Sequence, residues 1–183
     1  MTMALTAQPA SPRRVAALLC SDARHFQIVA LASLLGLNFA FLDFAARPLN
    51  SALAIAASLA TQALCSRLSG LPAIDLRSPL ITGLSLSLLL RADTPLIHAA
   101  AGAIAIASKF VLRIDGKHVF NPAGFAIVAL LLAVPSHMWI SPGQWGASAW
   151  FAALTAFLAV MVLNAARRAD VALFFLAAHG DQF

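Results

Sequence analysis

The stretch Lys109-Phe-Val-Leu-Arg-Ile-Asp-Gly-Lys-His-Val-Phe-Asn-Pro-Ala-Gly-Phe125 decides how this chain folds. A hydrophobic segment of small residues ends in a basic loop, a Gly116-Lys117-His118 turn follows, and Phe120-Asn121-Pro122 opens a second hydrophobic segment. Asn and Pro are turn formers, yet here they stand where a membrane helix begins. A bilayer core holds no water to satisfy free backbone groups. Irregular backbone is therefore tolerated at that depth only when it is buried in protein or lines a cavity. The stretch predicts a membrane protein with a broken-helix site rather than a plain anchor.

Composition agrees. The 183 residues are 61% hydrophobic and 10% charged, against about 25% charged in a soluble domain. Mean hydropathy is +0.87. Lipid is the solvent this composition suits, so the bilayer is the first partner. The net charge of +5 comes from basic residues in the breaks between apolar runs. That is the pattern of membrane topology, not of a nucleic-acid surface. Cys20 and Cys65 form no CxxC or Cys/His cluster, which argues against a structural zinc or iron–sulfur site built by this chain alone. His98, His118 and His137 share no zinc-like spacing.

A polar segment, 1–24, precedes one integral membrane domain, 25–183. The expected membrane segments are 27–46, 49–68, 78–90, 96–112, 120–134 and 150–164, with an incomplete one at 171–178. Twenty helical residues span about 30 Å, a bilayer core. The segment 78–90 reaches only about 20 Å at helical rise, and Pro79 and Gly83 predict a short or partly unwound helix there. Ala99, Ala103 and Ala107 fall four apart beside Gly102, a small-residue stripe that lets helix backbones approach. Trp139 and Trp145 suit an interface belt. With a cytoplasmic N-terminus and six crossings, Arg13, Arg14, Arg24, Arg67, Arg77, Lys109, Arg113, Lys117, Arg167 and Arg168 fall inside. Arg47 and Arg91 fall outside, so the twelve Lys and Arg obey the positive-inside rule. The first apolar run lacks a cleavage site, so it reads as a helix rather than a signal peptide.

The candidate path residues are Asn121, Pro122, Thr82, Gly83, Ser78 and Asn38. Asn121-Pro122 reads either as the unwound mouth of an ion or substrate path or as a helix start with an Asn cap and Pro at the first position. Ser78, Thr82, Ser85 and Ser87 either line a polar path or bond back to helix carbonyls. Asn38 sits deep in the first segment, where it bonds across helices or touches a path, and Asp43 lies near the outer end beside Arg47. Lys109, Arg113 and Lys117 are either topology charges or a docking surface for a soluble redox partner or an anionic cofactor. No catalytic constellation or metal site emerges.

Three elements together carry a resemblance: Ser78-Pro-Leu-Ile-Thr-Gly-Leu84 with its short leucine-rich helix, the small-residue helix ending at Lys109, and Gly116-Lys-His-Val-Phe-Asn-Pro-Ala-Gly124. In order and spacing the chain resembles the RnfD/NqrB family, membrane proteins of the Rnf electron-transport complex and of the sodium-pumping NADH:quinone oxidoreductase. The resemblance implies an all-α polytopic bundle built on a urea-transporter-like inverted-repeat fold. Residues 27–134 would form one five-helix repeat and 150–178 the start of the second, the rest being missing from the chain. It also implies a bacterial inner membrane location and neighbouring membrane subunits of a redox complex, or a second copy of the chain. Redox members carry a flavin esterified to a threonine in a Ser-Gly-Ala-Thr-like motif after the fifth helix. This chain has Pro135-Ser-His-Met-Trp-Ile-Ser-Pro-Gly-Gln-Trp-Gly146 there. That departure argues against covalent FMN and leaves noncovalent flavin open.

The function expected is that of a membrane subunit of an Rnf- or Nqr-like complex coupling redox chemistry to ion transport, with no catalysis of its own. The alternatives are a small-solute channel or transporter on the same scaffold and an inactive truncated product.

Overall fold

A computed structural model describes residues 22–42, 46–141 and 149–166, with 170, 174, 177 and 178. Asp43, Cys20, Arg13, Arg14, Arg167, Arg168, Trp145 and most of 171–178, all singled out in the sequence, lie outside the described residues. The architecture is all-α. Helix α1 is Ala23–Leu37, continued by a π-helical turn at Asn38–Leu42. Then follow α2 at Pro48–Leu68, α3 at Arg77–Leu89, α4 at Pro95–Val111, α5 at Pro122–Ala133 and α6 at Ala149–Ala166. The extended pieces are β1 at Leu90–Ala92, β2 at Arg113–Ile114, β3 at Lys117–His118 and β4 at Met138–Ile140.

Ala23–Phe41, Pro48–Leu68 and Ala149–Ala166 are long and apolar enough to cross a membrane, and Pro95–Val111 and Pro122–Ala133 are shorter apolar helices. The burial pattern is inverted relative to a water-soluble bundle. Helix α2 turns Asn50, Ser51, Ser58, Gln62 and Ser66 inward with Ala54, while Leu49, Leu64 and Leu68 face out. An outward apolar face is stable where lipid is the solvent, and inward small polar residues let helices approach and hydrogen-bond. This is an α-helical membrane protein.

Helix α2 lies against α4, with both running in the same direction. Gly102 packs on Ala54 and Ser58, and seven residues further on Lys109 reaches Gln62. A methyl group on Gly102 would lie 2.5 Å from the Ala54 carbonyl oxygen and 2.9 Å from Ser58 Oγ. The buried face of α4 is His98, Ala101, Gly102, Ala105, Ile106 and Ser108. The expected stripe of Ala99, Ala103 and Ala107 is only half-buried. Successive helix residues turn by about 100°, so the true seam is one residue displaced. The displacement follows from Gly102, which permits the closest approach, and from the polar His98, which is buried in the same seam.

Helix α3 is short, as expected, but continuous rather than unwound. Gly83 serves as a close contact, since a Cβ there would lie 2.7 Å from Ile55 Cα on α2. The chain then leaves helical geometry. Strand β1 is buried throughout and pairs antiparallel with β4, Leu90 with Ile140, Arg91 with Trp139 and Ala92 with Met138. Each short helix is thus continued by extended chain, and the two pieces satisfy one another's backbone groups. Leu86, Ala101, Ala105, Ala126 and Ile127 pack in one cluster with Leu90 and Met138 of the two strands. A second cluster, Leu35, Leu84 and Leu88, holds α1 beside α3.

The glycines separate by role. Gly102→Ala is expected to destabilise by roughly 1–3 kcal/mol, because backbone cannot give way as a side chain can. Gly36→Ala, in α1 with nothing within 4 Å of the added methyl, is expected to be neutral or stabilising by up to about 1 kcal/mol. Thermal unfolding of the two variants in one detergent checks the pair.

Candidate functional site

The starts of α1, α3 and α5 meet at one end of the bundle. Around them lies a polar cavity of about 350 Å³ lined by Ser78, Thr82 and Ser85 of α3, Asn121 and Pro122 at the start of α5, and Arg24, Gln27 and His118. Two pairs far apart in sequence, Ser78 with Thr82 and Asn121 with Pro122, are thereby brought to one wall. Two other candidates are not. Gly83 faces α2, as above. Asn38 is buried at the far end of α1, eleven residues and about 16 Å of helix beyond Gln27.

Local chemistry explains each side chain. Asn121 has extended backbone and its Oδ1 accepts from the Ala123 N–H at 3.0 Å and the Gly124 N–H at 3.3 Å. Pro122 fills the first helical position, where a missing N–H costs nothing. The turn pair is therefore a helix cap, and it sits at the cavity mouth as well. Thr82 Oγ1 donates to the Ser78 carbonyl at 3.0 Å, and Ser87 Oγ donates to the Gly83 carbonyl at 2.8 Å. These bonds satisfy the hydroxyl protons and leave oxygen lone pairs as acceptors.

Behind this wall Lys109 Nζ donates to Ser78 Oγ at 2.8 Å and to Gln62 Oε1 at 3.1 Å. Gln62 Nε2 in turn donates to Ser66 Oγ at 3.1 Å. The lysine thus ties α2, α3 and α4 together through neutral oxygens. Read from sequence, Lys109 is a topology or docking charge; its role as an internal strut is visible only once three helices are in place. The rest of the basic loop is the β2–β3 hairpin, with Arg113 opposite His118, and it is exposed.

An ion-pair network closes the same end. Arg24 meets Asp75 at 2.6 Å, Arg77 meets Asp22 at 2.6 Å, and Arg77 Nε meets Asp75 at 3.1 Å. It clamps the start of α1 to the start of α3. The backbone N–H of Arg24 holds the Asp22 carboxyl below its ordinary range; partial burial opposes this, and the charges of Arg77, Arg24 and His25 reinforce it. At Asp75 burial pushes upward, but the side-chain and backbone hydrogen bonds from Arg77, with the Arg77 and Arg24 charges, outweigh it and leave the carboxyl lowered.

The opposite end carries a different cluster. Arg91 Nη1 donates to the Ser87 and Leu90 carbonyls at 3.1 and 2.8 Å. His98 Nε2 lies 3.3 Å from the same Leu90 oxygen. A cation at a helix C-terminus complements the macrodipole. Asp93 and His137 approach to 3.3 Å beside it. Sequence reading places Arg91 as an outer topology charge and misses its burial. The signal was its position directly after a helix too short to span.

The stretch after α5 does not fit a covalently held flavin. Residues 135–146 contain no threonine, and Met138–Ile140 are engaged in pairing with β1. Among the described residues no three His, Cys, Asp or Glu side chains gather as a metal site.

The family model described as the NQR2, RnfD, RnfE family matches residues 20–180. No curated protein and no solved structure matches the chain.

Both aspartates have depressed folded-state pKa values, so their stabilisation is present above the ordinary carboxylate range and is lost as pH falls through the folded values. The thermal midpoint is expected to fall on acidification below about pH 4. Asp75→Asn is expected to lower it at neutral pH and to flatten the acid limb. Unfolding curves from pH 7 to pH 3 test this.

Proposed function

Because the chain belongs to the NQR2, RnfD, RnfE family, membrane subunits of Rnf- and Nqr-type complexes, we propose that it forms the wall of an ion path in a complex that couples electron transfer to transport. The observation that carries this reading is the polar cavity at which two short helices, α3 and α5, begin. Half-helices that meet at a polar site are how transporters place ligand groups inside a bilayer. The hydroxyl oxygens of Thr82 and Ser85 can replace part of an ion's hydration shell. Asn121 caps α5, and Lys109 with the ion-pair network holds this wall in position. In this reading the chain supplies no redox chemistry, the redox groups belong to neighbouring subunits, and the N-terminus lies on the cytoplasmic side of a bacterial inner membrane.

A second reading, a channel for a small neutral solute on the same scaffold, is favoured by the hydroxyls and amides lining the cavity, which can hydrogen-bond such a solute without binding an ion. The two differ in what drives flux. Proteoliposomes holding the assembled complex are expected to accumulate cation only when an electron donor is supplied. Thr82→Val is expected to lower that flux about tenfold, the effect of losing on the order of 1.4 kcal/mol of ligand stabilisation, with electron transfer itself less affected. Donor-independent solute uptake would establish the second reading. Donor-driven flux unchanged by both Thr82→Val and Ser78→Ala would sink the assignment of the path to this cavity.

A further inference from the structure

A second polar cavity, of about 370 Å³, lies at the opposite end of the bundle, lined by Arg47, Asn50, Arg91, Asp93 and Trp139 among others. Its composition is unusual for one small space. Arg47 precedes α2 and is exposed. Arg91 is 3% exposed, and its bonds to the Ser87 and Leu90 carbonyls fix the guanidinium in the wall. Asp93 brings a carboxylate, with His137 Nδ1 3.3 Å away. Asn50 is 6% exposed, and its Oδ1 has no hydrogen-bond partner among the described residues. A buried acceptor without a donor is costly and calls for one.

These groups make two opposite demands. Two guanidiniums call for an anion with oxygens spread enough to meet both, and phosphate suits them. Asp93 and the Asn50 carbonyl call for an N–H donor, best a charged one. A simple anion leaves the Asn50 oxygen unmet and is repelled by Asp93. A simple cation is opposed by both arginines. Phosphoethanolamine and phosphoserine head groups carry phosphate and a donating ammonium a few bonds apart, and phosphoethanolamine suits this cavity better because the additional carboxylate of phosphoserine would face Asp93. The surroundings suit a lipid rather than a free solute. Trp139, half-exposed, is the kind of residue that sits at head-group depth, and Leu49 and Ile140, next to the cavity in sequence, are exposed apolar side chains along which acyl chains can lie.

We propose that this cavity binds the phosphoethanolamine head group of a membrane phospholipid. Arg47 and Arg91 hold the phosphate, the Asp93 carboxylate accepts from the ammonium, and the Asn50 side chain, whose Oδ1 is sealed from solvent, turns to add a second acceptor. The lipid stands at the junction of α2, β1 and β4 and fills the polar space where α3 gives way to extended chain. The site is separate from the proposed ion path and does not depend on it.

The test is lipid retention by the purified full chain, read by mass spectrometry under native conditions. The probes are phosphatidylethanolamine, phosphatidylcholine and phosphatidylglycerol with identical acyl chains. Phosphatidylcholine keeps the charge but has no N–H, and phosphatidylglycerol keeps the phosphate but has no ammonium. Phosphatidylethanolamine is expected to be retained about tenfold more tightly than either, the worth of one well-placed charged hydrogen bond. Asn50→Leu is expected to shrink the gap over phosphatidylcholine to about twofold, and Arg47→Gln to weaken all three lipids. Equal retention of the ethanolamine and choline lipids by the wild-type chain overturns the proposal, as does preference for the glycerol lipid. Saturation by free phosphoethanolamine or inorganic phosphate at the lipid's own concentration overturns the lipid as occupant. The wild-type comparison needs no variant to fold. Because it reads no transport, it stands or falls apart from the flux experiments.

Discussion

The contact on which the rest of the structure depends is the approach of α4 to α2 at Gly102. There is no room between them for even a methyl group. In lipid no hydrophobic force drives helices together, so close backbone packing and interhelical hydrogen bonds must do so. Gly102 supplies the first, and Lys109 with Gln62 the second. Once these two helices lie parallel and in contact, α3 must cross back between their ends, and Gly83 against Ile55 sets how near it comes. The arrangement places Ser78 within reach of the lysine. A single seam of small residues therefore governs where the polar groups of three helices meet.

The second constraint is length. Helices α3 and α5, with 13 and 12 residues, are too short to cross a bilayer, and each passes into extended chain. Exposed strand edges are not tolerated at membrane depth. Pairing β1 with β4 resolves this by letting the two interruptions satisfy each other, and the buried Arg91 and His98 attend to the carbonyl end of α3. The two ends of the bundle consequently differ in character. One holds a cavity of hydroxyls and amides framed by ion pairs, the other a cavity of guanidinium, carboxylate and amide groups beside tryptophan.

Much of the candidate site was legible along the chain, and the reasons are local. Asn-Pro before an apolar run is a cap signal whatever the tertiary structure, and Asn121 bonds to Ala123 and Gly124 as that signal requires. The short segment after Arg77 was readable from residue count and rise per residue. Three things were not readable. The seam on α4 was displaced by one residue, because alanine spacing alone cannot distinguish adjacent faces, whereas the partner's backbone selects the glycine. Thr82 and Gly83, adjacent in sequence, separate onto different faces, since neighbouring helix residues point about 100° apart. Asn38 lies at the other end of α1 from the cavity, because polarity along a chain does not show at which end of the bundle a residue stands.

Composition and hydropathy by themselves determined that this is a helical membrane protein, because an apolar face of bilayer length is a property of the residues alone. Local rules determined where helices start and stop, because caps and prolines act within a few residues. The family was likewise written in short motifs. Only the tertiary structure decided which polar groups share a cavity, that Lys109 is an internal strut and that Arg91 is buried. It alone decided that two extended pieces 46 to 50 residues apart pair with one another. Those outcomes depend on which helix faces touch, and in a bilayer that choice rests on close packing and hydrogen bonding between segments distant in sequence, which no single segment encodes.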